Sequence, residues 1–182
     1  DDLGMRFVCL CSLRCLVFLS SKQIKISIDS YPWWQLGDKI DMKSFLSLEP
    51  GLPELADYTH SCWVNVECPD EDDFLFLTRD LGIPREFLSD IADIDERPRA
   101  EREDEWLLTI LRIPMDGGGQ GMPYQTVPIG IITGHEATVS VCYRRTQMLP
   151  DFINHIRRKN IQIAGQREFI TRMIYSSAVW FL

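Results

Sequence analysis

Leu88-Ser89-Asp90-Ile91-Ala92-Asp93-Ile94-Asp95-Glu96-Arg97-Pro98-Arg99-Ala100-Glu101, followed by Trp106-Leu107-Leu108-Thr109-Ile110-Leu111-Arg112-Ile113, is the stretch that decides the fold. Phe87, Leu88, Ile91 and Ile94 recur at helical spacing, so the first part reads as a helix with an apolar stripe. Pro98 cannot continue a helix and drives Arg97 toward extended backbone, which places a charged corner between Ile94 and Arg99. The apolar run from Trp106 to Ile113 then reads as a strand that ends at Pro114.

Upstream of this stretch, Cys62 to Glu67 has strand character and Cys68-Pro69 closes it. Asp70 is placed as a helix N-cap, with Asp73 three residues on in a capping-box position. Phe74, Leu77 and Leu81 share a face, Gly82 supplies the stop, and Pro84 fits the first position of the next helix. Further back, Lys43 to Leu48 reads as a short strand. Asn65, polar inside a β run, is expected to face solvent. Trp63 and Trp106 are expected to anchor the core.

Downstream, Gly117-Gly118-Gly119 forms a loop with no Lys-Ser/Thr after it, which argues against a phosphate-binding loop. Tyr124 to Thr133 and Ala137 to Tyr143, joined by Gly134-His135-Glu136, read as a hairpin that pairs with the Trp106 strand. Two helices finish the chain. The first opens at Leu149-Pro150-Asp151 and carries Arg157-Arg158-Lys159 in its last turn, where positive charge suits the helix dipole. The second starts near Gln166 and is expected to run to Leu182 without a stop signal, as in a fragment of a longer chain. Its stripe is Phe169, Ile170, Met173, Ile174 and Ser177. The order of strand, helix, helix, strands, helix, helix predicts an α+β domain of α/β/α layers around a mixed, largely antiparallel sheet.

Residues 1–41 read differently and are set apart as an N-terminal extension, with the folded domain at 42–182. The run Phe7 to Leu19 is apolar but broken by Ser12 and Arg14, and is shorter than the roughly twenty residues of a membrane-spanning helix. Gln23 to Ile28 alternates like a strand, and Tyr31-Pro32-Trp33-Trp34 reads as a turn. The six cysteines include no Cys-x-x-Cys pair, and buried free thiols are the expected state.

The 182 residues carry a formal net charge of -8, which argues against a nucleic-acid partner. The charge is polarised: residues 70–105 hold fourteen acids against five bases, and residues 144–172 hold seven bases against two acids. Two readings of the acidic half stand side by side. In one, Asp90 and Asp93 share a helix face and, with Asp95 and Glu96, offer hard oxygen ligands suited to Mg²⁺ or Ca²⁺. In the other, they are solvated carboxylates paired with Arg97, Arg99 and Arg102. His60, His135 and His155 fall on separate segments, and no serine sits in a Gly-x-Ser-x-Gly context, so no catalytic constellation is expected and the chain is not read as an enzyme.

Trp63-Val64-Asn65-Val66, Leu81-Gly82-Ile83-Pro84, Ser89-Asp90-Ile91, Glu96-Arg97-Pro98-Arg99-Ala100-Glu101 and Trp106 to Pro114 occur in that order. The ordered set resembles the cytoplasmic N-terminal domain of CorA-type divalent-cation transporters, over residues 42–182. The resemblance implies a homopentameric channel in the cell membrane for Mg²⁺ or another divalent cation (Co²⁺, Ni²⁺, Zn²⁺), with this domain on the cytoplasmic side. A stalk helix and two membrane helices would follow it. It implies regulatory Mg²⁺, weakly bound between subunits, which offsets repulsion among acidic surfaces and holds the closed state. Asp90 matches the family's metal-binding aspartate, with Asp93 and Asp95 as weaker candidates. Ser89 stands where the family usually has a second acid, so an adjacent second site is not implied. The family's Gly-Met-Asn pore signature does not occur; Gly121-Met122-Pro123 is not it. The alternative is a free-standing interaction domain with no transport role.

Overall fold

The structure is a computed structural model that describes residues 43–116, 124–135 and 137–182. The expected strand at residues 23–28, the turn at 31–34, the thiols of Cys9, Cys11 and Cys15, the boundary at residue 42 and the glycine loop at 117–119 lie outside them.

Among the described residues, seven strands form one sheet: β1 (Lys43–Leu46), β2 (Glu54–Leu55), β3 (Trp63–Glu67), β4 (Arg99–Glu103), β5 (Trp106–Asp116), β6 (Tyr124–Gly134) and β7 (Ala137–Cys142). Their spatial order is β2-β1-β3-β7-β6-β5-β4. Every neighbouring pair is antiparallel except β3 and β7, which run parallel with Trp63 opposite Thr138. The mixed, largely antiparallel sheet is therefore as the sequence predicts. β3 and β7 lie in the middle with both faces covered, which is why they read as nearly continuous apolar runs.

The helices are α1 (Glu71–Leu75), α2 (Arg85–Ala92), α3 (Met148–Lys159) and α4 (Gln166–Trp180). They cover opposite faces of the sheet. On one face, Met148, Leu149, Phe152 and Ile156 of α3 and Phe169 and Met173 of α4 pack on Trp63, Ile113 and Ile131. The rings of Trp63, Phe152 and Phe169 meet in tilted and edge-on contacts at 4.9 to 6.0 Å. On the other face, Phe87, Leu88 and Ile91 of α2 pack with Trp106, Leu108, Ile132 and Val139. Trp63 and Trp106 thus anchor one cluster each.

Local signals explain the boundaries. The Asp70 carboxylate accepts from the Asp73 amide at 2.9 Å and the Asp73 carboxylate accepts from the Asp70 amide at 3.2 Å, closing the capping box. Asp73 is buried and also takes the Lys43 ammonium at 2.7 Å, which ties α1 to β1. After Leu75 the backbone widens into a π-helical turn at Phe76–Asp80, and Gly82, with φ of 73°, ends it. Pro84 sits one residue earlier than expected, at the N-cap of α2.

Other expectations are corrected. Asn65 is buried, because Ser140 across the parallel pair donates to its Oδ1 at 2.7 Å. Ile94 is 45% exposed, because α2 has ended before it. Ile174 is exposed as well, and α4 ends at Trp180. Cys62 and Cys142 are buried free thiols, but Cys68 is exposed. β2 and β4 were not expected. β4, Arg-Ala-Glu-Arg-Glu, lacks apolar alternation because it is an exposed sheet edge, and its charges suit that place.

Candidate functional site: the acidic corner

The corner begins where α2 seats on the sheet. Ile91 is fully buried against Gly130 of β6; a Cβ on that glycine would lie 2.1 Å from Ile91 Cδ1. This close approach fixes the last turn of α2, which carries Asp90. Asp93 is the C-cap, with ψ of 113°, and its amide donates to the Asp90 carbonyl at 3.2 Å. A tight turn follows: the Asp93 carboxylate accepts from the Asp95 amide at 3.0 Å, and the Asp93 carbonyl accepts from the Glu96 amide at 3.1 Å. Pro98 then starts the chain into β4, where Arg99 stands opposite Ile110.

Arg99 gathers the acids. Its Nη2 donates to Asp90 Oδ2 at 2.6 Å and to Glu101 Oε2 at 2.9 Å, and its Nε donates to the same Glu101 oxygen at 3.2 Å. Nη1 lies 2.8 Å from Glu96 Oε1 but out of line for a hydrogen bond, so this is a charge contact. Desolvation opposes the charge on Arg99, while the hydrogen bonds to Glu101 and Asp90 and the nearby carboxylates outweigh it and push its pKa above the usual value. Three carboxylates around one guanidinium leave a net charge of -2 (three negative, one positive). The Asp90 side chain is 33% exposed. Its Oδ1 accepts no hydrogen bond among the described residues.

The structure thus separates what the sequence placed together. Asp90 and Asp93 do not share a helix face, because Asp93 has left the helix and spends its carboxylate on the turn. Asp95 is exposed at the turn. Among the described residues, no three of His, Cys, Asp and Glu are grouped so that they alone could hold a metal ion. The pairing expected of Arg97, Arg99 and Arg102 concentrates on Arg99, and Arg102 turns instead to the Asp104 carbonyl. The sequence reading missed Glu101 as a member of the cluster and Arg99 as its hub; the Arg-Ala-Glu spacing, period two on a strand, is the signal that puts both on one face. The residues fit a hard cation in one way: Asp90 offers a single oxygen, and water or another chain would complete the shell.

His135 lies against Trp106 at 5.2 Å and His60 against Tyr58 at 6.0 Å. No helix among the described residues is long and apolar enough to cross a membrane.

A seven-stranded mixed sheet between two helical layers, with an acid-rich corner at the end of α2, defines the chain as an α/β/α domain. The family described as CorA-like Mg2+ transporter protein matches residues 58–177. The chain belongs to that family. A search of curated proteins gave no match. Solved structures carry the same fold. The complete CorA magnesium transporter of Methanocaldococcus jannaschii aligns with a TM-score of 0.63 at 15% identity, over 76% of this chain and 44% of that one. The soluble domain of the same transporter gives 0.64 at 16% identity, over 78% of this chain and 58% of that one. The cytoplasmic domain of ZntB from Vibrio parahaemolyticus gives 0.62 at 13% identity, over 78% of this chain and 59% of that one. The chain spans less than two thirds of the length of each.

Proposed function

We propose that this chain is the cytoplasmic regulatory domain of a divalent-cation channel or transporter, that it works as a homopentamer in the cell membrane, and that Mg²⁺ bound at Asp90 regulates it. The domain does no catalysis on this reading. The observation that supports it best is the acidic corner itself in a chain of this family: an aspartate one-third exposed on a fixed helix end, in a cluster with net charge -2 and one carboxylate oxygen uncommitted among the described residues. A Mg²⁺ ion keeps several waters and takes only one or two carboxylates, so a single Asp90 oxygen with a ligand from a neighbouring subunit is a sufficient site. Occupied, such a site offsets repulsion between acidic surfaces and holds subunits together; when Mg²⁺ falls, the repulsion favours the open state. Carboxylate and water also bind Co²⁺, Ni²⁺ and Zn²⁺, so on this reading a preference for Mg²⁺ comes from its availability rather than from raw affinity.

The test is limited proteolysis of the complete natural protein across a Mg²⁺ titration. Mg²⁺ is expected to protect the wild type, and Asp90→Lys to move the protection midpoint at least about tenfold higher, since it replaces the ligand by a like charge. Equal midpoints would refute Asp90 as the ligand. Absence of any Mg²⁺ protection in the wild type would favour a free-standing interaction domain instead.

A further inference from the structure

We propose that Arg112 is the positioning residue of the acidic corner and that it joins the corner to α4 on the opposite face of the sheet. Arg112 lies on β5 and touches no part of the Asp90 carboxylate. Its Nη1 donates to two corner carbonyls, Ile94 at 2.8 Å and Glu96 at 2.9 Å. Its Nε donates to Thr126 Oγ1 at 2.8 Å and its Nη2 to the Thr126 carbonyl at 2.6 Å. Four of the five N–H donors of a planar guanidinium are thus engaged, two on the corner and two on β6. The corner carbonyls have no helix or sheet partner, because α2 has ended and β4 has not begun. Arg112 supplies that partner and sets the height of the turn above the sheet.

The main chain of the same residue faces α4. Ser177, itself buried, donates its hydroxyl to the Arg112 carbonyl at 3.1 Å. α2 and α4 pack on opposite faces, so Arg112 is where the corner and the last helix meet through one residue. A shift of the turn moves the guanidinium, the β5 main chain and the Ser177 hydroxyl as one connected set. The consequence for regulation rests on the reading of Asp90 as a cation ligand: occupancy of the corner then reaches α4 through Arg112. Lysine cannot replace it, because an ammonium is a point donor and cannot span Ile94, Glu96 and Thr126 in one rigid fork.

Hydrogen exchange tests this on the complete natural protein, followed peptide by peptide from sub-second times, with and without Mg²⁺, for the wild type, Arg112→Lys and Ser177→Ala. Without Mg²⁺, Arg112→Lys is expected to speed exchange over residues 93–99 by about tenfold, while the sheet centre at Val64 and Val139 keeps its wild-type rate. Ser177→Ala is expected to leave the corner unchanged. With saturating Mg²⁺, the wild type is expected to gain protection at both the corner and residues 170–180, and each variant to lose the second of these. Thr126→Val, which removes one acceptor and no charge, stands in if Arg112→Lys does not fold, with the same direction and a smaller effect. An unchanged corner in Arg112→Lys (or, in its stead, Thr126→Val) overturns the positioning role, whatever Mg²⁺ does. Persistence of the α4 response in Ser177→Ala overturns the link. A corner that loosens in the variant, in a protein whose wild type shows no Mg²⁺ effect, supports Arg112 and refutes Asp90 as the ligand.

Discussion

Replacing Gly130 by alanine should lift α2, and Asp90 with it, off the sheet. The new Cβ would stand 2.1 Å from Ile91 Cδ1 and 2.4 Å from Ile91 Cγ1. Carbon atoms settle at about 3.5 to 4.0 Å, so the contact is too short by roughly 1.5 Å. Ile91 is fully buried, so either its side chain turns toward the small cavity it lines with Pro128, Tyr143 and Arg144, or α2 moves. Overpacking of this kind costs about 1–3 kcal/mol. Alanine in place of glycine in a strand returns about 0.5–1 kcal/mol, because glycine gives up more backbone entropy on folding. The difference spans about 0–2.5 kcal/mol and centres on a loss of about 1 kcal/mol, read as a fall in Tm of roughly 2–4 °C for a domain of this size. Urea unfolding measures it directly. Ile91→Ala, which alone should cost about 2–5 kcal/mol, removes both clashing atoms. The double variant should therefore lose at least about 1 kcal/mol less than the sum of the singles. Strict additivity in the double variant would refute the seating of α2 in the Gly130 notch.

Two further predictions concern the interior between β3 and β7. The Trp63 indole N–H donates to Ser140 Oγ at 2.8 Å, and Ser140 Oγ donates to Asn65 Oδ1 at 2.7 Å. Ser140→Ala strands a donor and an acceptor in the core and should cost about 2 kcal/mol or more in urea unfolding, and wild-type stability would show that the relay carries nothing. Burial pushes the Glu67 carboxyl up from 4.5, against the Thr146 amide, the Asn65 side chain and the charge of Arg145. A carboxyl raised in the folded state adds stability that is complete below its unfolded value and is lost as pH rises through the folded value. The stability of the wild type relative to Glu67→Gln should therefore decline as pH climbs from below 4.5, and a difference that stays flat with pH would contradict the burial argument.

What the sequence revealed was what repeats locally. The Phe87, Leu88 and Ile91 spacing gave α2, Pro98 gave the corner, and the β-rich runs around Gly134 gave the β6–β7 hairpin. The Asp70 cap was readable because both halves of the box lie within three residues. What stayed hidden depends on partners far away in the chain. Asn65 looks like a solvent-facing residue until Ser140, 75 positions on, is placed beside it. β4 looks like a charged linker until β5 supplies its register. Arg112 looks like a blemish in an apolar strand, because its acceptors are main-chain carbonyls, which carry no sequence signature. Asp93 misled for another reason: i, i+3 spacing puts two residues on one face only while the helix lasts, and α2 stops at Ala92.

The hub role of Arg99 also bears on how a cation could use the corner. A guanidinium stays charged at any relevant pH, so a cation arriving at Asp90 shares that carboxylate with Arg99 rather than displacing a proton. Arg99 holds Oδ2, so a hydrated Mg²⁺ taking Oδ1 as its one carboxylate oxygen would need no rearrangement of the Arg99 contacts. On the proposed reading, attraction would come from the remaining charge of -2, at a site a third exposed and screened by salt over about 8 Å. Such a site would bind weakly. A cage of several carboxylates would hold its ion through every physiological fluctuation and report nothing. On the proposed reading, a single aspartate half neutralised by an arginine is the better sensor, because its occupancy changes most when the free concentration passes through a weak dissociation constant.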